Sequence, residues 1–458
     1  LEGTCWPNDG SDRNMNYYFS SGQPQYRSVN PNNKSRLCDF FTVMLVLMPI
    51  LDTYTLNIVG KRIGLGMLLV LIIGFVLLLV SPSRNIGRIR KAARALWVYY
   101  GYCLLITVVS ILILGSDTFS LTIIMNFLYV LILTVFVPKY VNIKLLEKTY
   151  HNAVIIVCLY LLMQYLFCNA FRIALPNIIP ALPLFSVSMD SSQFLMQYQN
   201  AVLAGTARIS SIFTESAHFA AYVVPCLSLL LFSNNRKNVI VPAVFISVCV
   251  ILSFSALGVA SVLFIWFFWS VYTLNHKYSK EDKRRNKVKA LIIIGTPIVI
   301  VLMIYLYLTA SEYQFTINRF IAIISGNGDS SSVLRLSRGF KLYSQFGAVW
   351  KLFGAGFGSV SEIIHALGIL DIYETQFIVN AAGYMSGLSR VFFASGIIGA
   401  IFYSRYLLIQ FKSNKISIKL LILVALIFLI ASDSLFSTFS TLWFSISMYC
   451  TANKETCI

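Results

Sequence analysis

Between Arg208 and Phe232 the chain reads Arg-Ile-Ser-Ser-Ile-Phe-Thr-Glu-Ser-Ala-His-Phe-Ala-Ala-Tyr and then turns apolar. A guanidinium, a carboxylate and an imidazole thus share a stretch long enough to cross a bilayer. Glu215 and His218 are the groups able to take a proton from a substrate hydroxyl, and Arg208 offers a fixed positive charge. Helical spacing predicts Ser211, Glu215, His218 and Tyr222 on one face. A carboxylate in a membrane helix costs about 3 kcal/mol to insert, so this stripe reads as a site. The competing reading is a structural cluster in which Arg208 or His218 pairs with Glu215.

A second set of groups falls in the segments predicted to lie outside the membrane: Arg172, Arg319, Arg335, Arg338, Lys341 and His365. Cations there run against the bias that keeps Lys and Arg inside, and a bound anion would account for them. Guanidinium groups hold phosphate oxygens by two parallel hydrogen bonds. The alternative is that they reach outer lipid headgroups. Gly354-Ala-Gly-Phe-Gly358 reads as a flexible turn, because no Lys-Ser/Thr follows to make it a nucleotide loop. No HExxH, nucleophile elbow or CxxC spacing occurs, so neither a metal nor a cofactor is expected.

The elements that must position these groups are apolar. Of 458 residues, 57% are hydrophobic and 12% charged, with a mean hydropathy of +0.75. Soluble domains carry about 25% charged residues, so the composition describes a polytopic membrane protein. Twelve apolar runs are predicted to span, near 39–58, 63–80, 95–114, 118–137, 151–170, 209–232, 238–253, 256–274, 290–309, 387–410, 418–433 and 436–450. The net charge of +18 is concentrated in loops at 81–94, 138–150, 233–238, 275–289 and 411–419, which hold 20 of the 36 Lys and Arg residues. That is the positive-inside pattern, and it excludes a nucleic-acid partner as the reason for the charge. The predicted organisation follows. A polar cytoplasmic tail occupies 1–38, helices one to five 39–170, an outer loop 171–208 and helices six to nine 209–309. A large outer loop over 310–386 forms a helical cap, helices ten to twelve occupy 387–450, and a cytoplasmic tail follows at 451–458. The cap is predicted to hold a serine-capped amphipathic helix from Ser330 that carries Arg335, Arg338 and Lys341 at three-residue intervals.

The segment Arg208-Ile-Ser-Ser-Ile-Phe213-Thr-Glu215-Ser-Ala-His218 resembles the Arg…Phe-x-Glu-Pro/Ser-x-His segment of bacterial O-antigen and capsular polysaccharide polymerases. The turn from Leu252 to Gly258, the Phe353–Gly358 turn and the overall layout are similar to features of that family. Thr214-Glu-Ser216 departs from it in lacking the proline often found after the glutamate. The resemblance implies an all-α polytopic membrane glycosyltransferase of about twelve helices with a GT-C-like fold. It would join oligosaccharide repeat units carried on undecaprenyl diphosphate, at the outer face of the bacterial cytoplasmic membrane. It implies Glu215 or His218 as base or base-orienter, and Arg208, Arg335 and Arg338 on the departing diphosphate. Arg172, Arg319, Lys341, His365 and Tyr222 would complete the substrate site. The implied partners are the lipid-linked oligosaccharide, the lipid bilayer, a chain-length regulator and a flippase. An O-antigen ligase is the nearest alternative, and a flippase or other transporter a more distant one.

Overall fold

A computed structural model describes residues 31–58, 61–80, 91–176, 186–187, 191–203, 208–232, 239–275, 331–371, 385–431 and 435–452, with isolated helical positions at 314, 318 and 321. The described chain is mostly helical. In order come α1 (Pro31–Leu51), α2 (Leu65–Val80), α3 (Lys91–Leu114), α4 (Thr122–Tyr140), α5 (Ile143–Phe171) and α6 (Ser191–Leu203). Then follow α7 (Ser216–Leu231), α8 (Ile240–Leu252), α9 (Ala256–Asn275), α10 (Ser331–Ser344), α11 (Ala348–Phe353) and α12 (Val360–Ala366). The last three are α13 (Gly387–Ser413), α14 (Ile416–Ala431) and α15 (Thr438–Ala452).

Helices occupy every apolar run that falls among the described residues; the run at 290–309 lies outside them. Among the described residues, five are long and apolar enough to cross a membrane: α3, α4, α5, α13 and the Ala256–Thr273 part of α9. The long uncharged stretch 238–274 breaks between its two predicted runs. Between α8 and α9 the hydroxyl of Ser253 bonds back to the Val250 carbonyl at 2.7 Å, that of Ser255 accepts from the Gly258 amide, and Phe254 turns left-handed at φ 53°. Such local bonds compete with the helical ladder, which is why serine punctuates it.

Three features go beyond the expected helices. The chain is not purely helical: strands Tyr54–Ile58 (β1), Lys61–Gly64 (β2) and Ser186–Val187 (β3) form a small antiparallel sheet in the order β2-β1-β3. The run at 39–58 therefore ends as a helix at Leu51 and continues as a hairpin, favoured by Tyr, Thr and Ile in its first strand. α1 also starts at Pro31, inside the segment assigned to a polar tail. Finally, Cys450 is disulfide-bonded, although the cysteine spacing gave no sign of one.

The loops expected on the outer side gather at one end of the molecule. Tyr54 and Thr55 pair with Val187 and Ser186, the Ser359 amide donates to the Thr118 carbonyl at 2.8 Å, and the Thr438 hydroxyl meets Asp52. Beneath them α7 is wrapped by α1, α5, α8, α9, α14 and α15, and it is buried almost throughout. Pro225 lies inside α7 and cannot donate to the Ala221 carbonyl four residues back. Trp443 of α15 donates its indole N–H to that carbonyl instead, at 3.1 Å. A helix weakened by proline is thus completed by its neighbour, and its N-terminal end is fixed against α15.

Candidate functional site

The stretch before α7 is not helical. The Ser210 hydroxyl bonds the Phe213 carbonyl at 2.6 Å, the Ser211 hydroxyl reaches the Val157 carbonyl of α5 at 2.7 Å, and Gln164 donates to the Ser211 carbonyl at 3.0 Å. Ser211 is buried and left-handed at φ 57°. Ser210, which bonds backbone locally, delays the helix to Ser216, and Ser211 locks the turn onto α5. The expected single face of Ser211, Glu215, His218 and Tyr222 is therefore broken: Ser211 anchors the turn, and only the last two lie within α7.

Glu215 is the N-cap of α7, extended at φ −135° and ψ 149°, and its carbonyl accepts from the amides of His218 and Phe219 at 3.0 and 3.1 Å. A helix N-terminus is a favourable place for negative charge. His218 Nδ1 lies 3.0 Å from the Thr214 hydroxyl. Its ring stacks on Phe439 with centroids 5.5 Å apart and planes 21° from parallel. Phe439 in turn contacts Phe213 and Trp443, and Phe213 contacts Tyr222. The site thus has an aromatic floor under a partly exposed acid and imidazole. The floor rings are themselves buried, so their part is to fix the imidazole in place.

Tyr222 belongs to the floor rather than to the open face. It is fully buried and donates to the Val46 carbonyl of α1 at 3.2 Å, while Tyr150 donates to the Tyr222 carbonyl. Arg208 is partly exposed in the turn ahead of Ser210. Arg172 is exposed at the left-handed end of α5.

The cap uses its charges differently from what the sequence predicts. Arg338 is turned inward at 1% exposure and forms a buried ion pair with Asp371, its Nε donating to Oδ2 at 2.9 Å. It is spent on holding α10 to the segment after α12, so it is removed from the diphosphate ligands. Gly339 is the reason α10 lies so close to α13, since a Cβ there would overlap Ser389. Lys341 and His365 are exposed. The side chain of Arg335 and the whole of Arg319 lie outside the described residues.

The Gly354–Gly358 segment, expected as a flexible turn, is a buried strap. Gly396 breaks α13 at φ 60°, freeing the carbonyls of Phe393 and Ala394. The amides of Ala355 and Gly356 donate to them at 2.9 and 2.8 Å. On the other side the Phe357 amide donates to the Thr107 hydroxyl and Ser110 to the Ala355 carbonyl, both at 2.9 Å. Gly354 and Gly356 have φ of 86° and 80°, and a Cβ on Gly356 would lie 2.6 Å from Thr107. Glycine is required for both backbone sign and contact distance.

Two further charged residues of the predicted apolar runs, Arg390 and Asp52, contact the segments that meet at this end. Arg390 donates to the Gly358 carbonyl at 3.0 Å and lies over the Phe393 ring. Asp52 accepts from Thr438, the residue before Phe439. Their signal was a charge in an apolar run. What the sequence could not give was that Asp52 meets the start of α15 and Arg390 the strap, whose Phe357 packs on Phe436. Among the described residues no three His, Cys, Asp or Glu side chains group as a metal site would.

The chain matches no protein-family model and no curated protein. Fold and site together define a mostly helical, membrane-embedded protein that collects its partly buried acid, imidazole and guanidinium groups at one end of the helices.

Proposed function

We propose that this chain is a polysaccharide polymerase of the bacterial cytoplasmic membrane, with about twelve spanning helices and a GT-C-like arrangement. Its substrates are oligosaccharide repeat units on undecaprenyl diphosphate, handled at the outer face. A hydroxyl of one unit attacks C1 of the sugar at the reducing end of the growing chain. The new C–O bond forms as the bond from C1 to the diphosphate oxygen breaks, and undecaprenyl diphosphate leaves with the electron pair. The hydroxyl proton passes to a base at the site, and the leaving diphosphate needs cations. Glu215 and His218 serve as base or base-orienter; Arg208 and Arg335 are assigned to the diphosphate, with Arg172 and Arg319 as further cations.

The observation that carries this reading is the junction of Glu215, Thr214 and His218 with an aromatic floor at the end where the outer loops meet. It offers partly exposed acid–base groups, with the imidazole held in place by a buried aromatic floor. The test is the glycan phenotype of a deletion. Single repeat units should accumulate on the lipid with no polymer. An undiminished polymer ladder would sink the reading, and a ladder stranded on undecaprenyl diphosphate would replace it with a ligase.

A further inference from the structure

The second partly buried carboxylate at this end, Asp52, has surroundings unlike those of Glu215. It lies in the turn between α1 and β1, outside every helix, just past the C-terminal end of α1, where its amide donates to the Met48 carbonyl at 3.0 Å. A helix C-terminus carries partial negative charge and so opposes a carboxylate, the reverse of the N-terminal setting of Glu215. No cation pairs with Asp52 among the described residues, and its carboxylate receives one long hydrogen bond, 3.4 Å from the Thr438 hydroxyl. Burial pushes the carboxyl up to about 6, against a smaller lowering by Thr438. The carboxylate occupies a recess left by Gly64, where any Cβ would overlap Oδ1.

The recess lies next to the site already described, with α15 between them. Asp52 touches Thr438, and the next residue, Phe439, carries the His218 ring. Two consecutive residues at the start of α15 thus hold Asp52 on one side and the imidazole on the other. General bases work best when their proton affinity lies near the working pH, and burial without a counter-charge is the usual means of raising a carboxylate to that range. A carboxylate held only to support the fold would more commonly be given a cation, as Asp371 is.

We infer that Asp52 is the proton acceptor for the attacking sugar hydroxyl, with Glu215 and His218 orienting that hydroxyl. The inference rests on the polymerase reading and decides the roles within it. The hydroxyl proton moves to a carboxylate oxygen of Asp52 as the oxygen bonds to C1. It is lost to solvent after the diphosphate departs, so no further reactant is needed.

The experiment complements a deletion strain with wild type, Asp52→Asn and Asp52→Ala, and measures polymer per amount of protein in the membrane, with and without added formate. Asparagine still accepts the Thr438 hydrogen bond and cannot take the proton. Asp52→Asn is expected to lose about 10²–10⁴-fold in polymer formation at wild-type abundance. Formate, a small carboxylate able to enter the vacated recess, should restore part of the activity of Asp52→Ala and none to Asp52→Asn. Polymer falling only in proportion to abundance, with no formate effect, overturns the assignment, as does wild-type polymer from Asp52→Asn. A deletion strain that still makes polymer overturns the polymerase reading itself, and this inference with it.

Discussion

Asp371 in the cap and Asp52 beside α15 are both acids taken largely out of water, and the molecule treats them in opposite ways. Asp371 is closed against Arg338 in a pair that is 1–2% exposed. Asp52 has a hydroxyl at 3.4 Å and the negative end of a helix for company. A compensated pair has little proton affinity or anion affinity to offer a substrate, whereas an uncompensated carboxylate retains both acceptor capacity and an appetite for a proton. The difference separates charge that builds the cap from charge available for chemistry. It also explains why a stripe of arginines in a sequence does not by itself mark a phosphate site.

The largest effect should come from breaking the cap pair. Arg338→Met leaves Asp371 buried without its cation, a change that typically costs about 3–5 kcal/mol. The level of folded protein in the membrane should collapse, and adding Asp371→Leu should restore much of it. If the single variant is as abundant as wild type but makes no polymer, Arg338 belongs to the substrate site after all.

Glu215→Gln probes the other side of the comparison. As an orienting group, Glu215 contributes position rather than proton affinity, and misplacing a reactant costs about 10²-fold. Polymer formation should fall by roughly that factor at normal abundance. The loss should be smaller than for Asp52→Asn; a larger one would return the base to Glu215.

A milder perturbation tests the strap. Gly356→Ala places a Cβ against Thr107 on a left-handed backbone, a strain of about 2 kcal/mol. Membrane extracts should show a lower midpoint of thermal aggregation, with polymer per folded molecule unchanged. Unaltered stability would mean that the strap is looser than its buried hydrogen bonds require.

The smallest effect is expected at His365, which is exposed at the end of α12. His365→Ala should leave both abundance and chain length as they are. Shortened chains at normal abundance would bring the cap surface into substrate binding.

Much of the fold was legible because membrane insertion writes itself into the sequence. Apolar runs of spanning length and serine-marked breaks locate helices without any knowledge of their neighbours, as at Ser253–Ser255. The site was legible in part for the same reason: a carboxylate and an imidazole are too costly in an apolar run to pass unnoticed. The hairpin was missed because its first strand, Tyr54–Ile58, continues the apolar run of the helix before it. The burial of Tyr222 was missed because spacing gives a face but not what covers it.

What the sequence determined on its own is therefore a matter of transfer free energy, which each segment settles alone: a membrane protein, its helical runs, and the oddity of Glu215, His218, Asp52 and Arg390 among them. Which of those charges are compensated depends on partners far away in the chain. Arg338 meets Asp371 thirty-three residues on, Asp52 meets Thr438 at a separation of 386, and the Ala221 carbonyl freed by Pro225 waits for Trp443, 222 residues later. Packing alone brings such groups together, because proton affinity and pairing are set by the few ångströms around a group. Only the tertiary structure could decide that one acid is locked in an ion pair while another is held by a single long hydrogen bond.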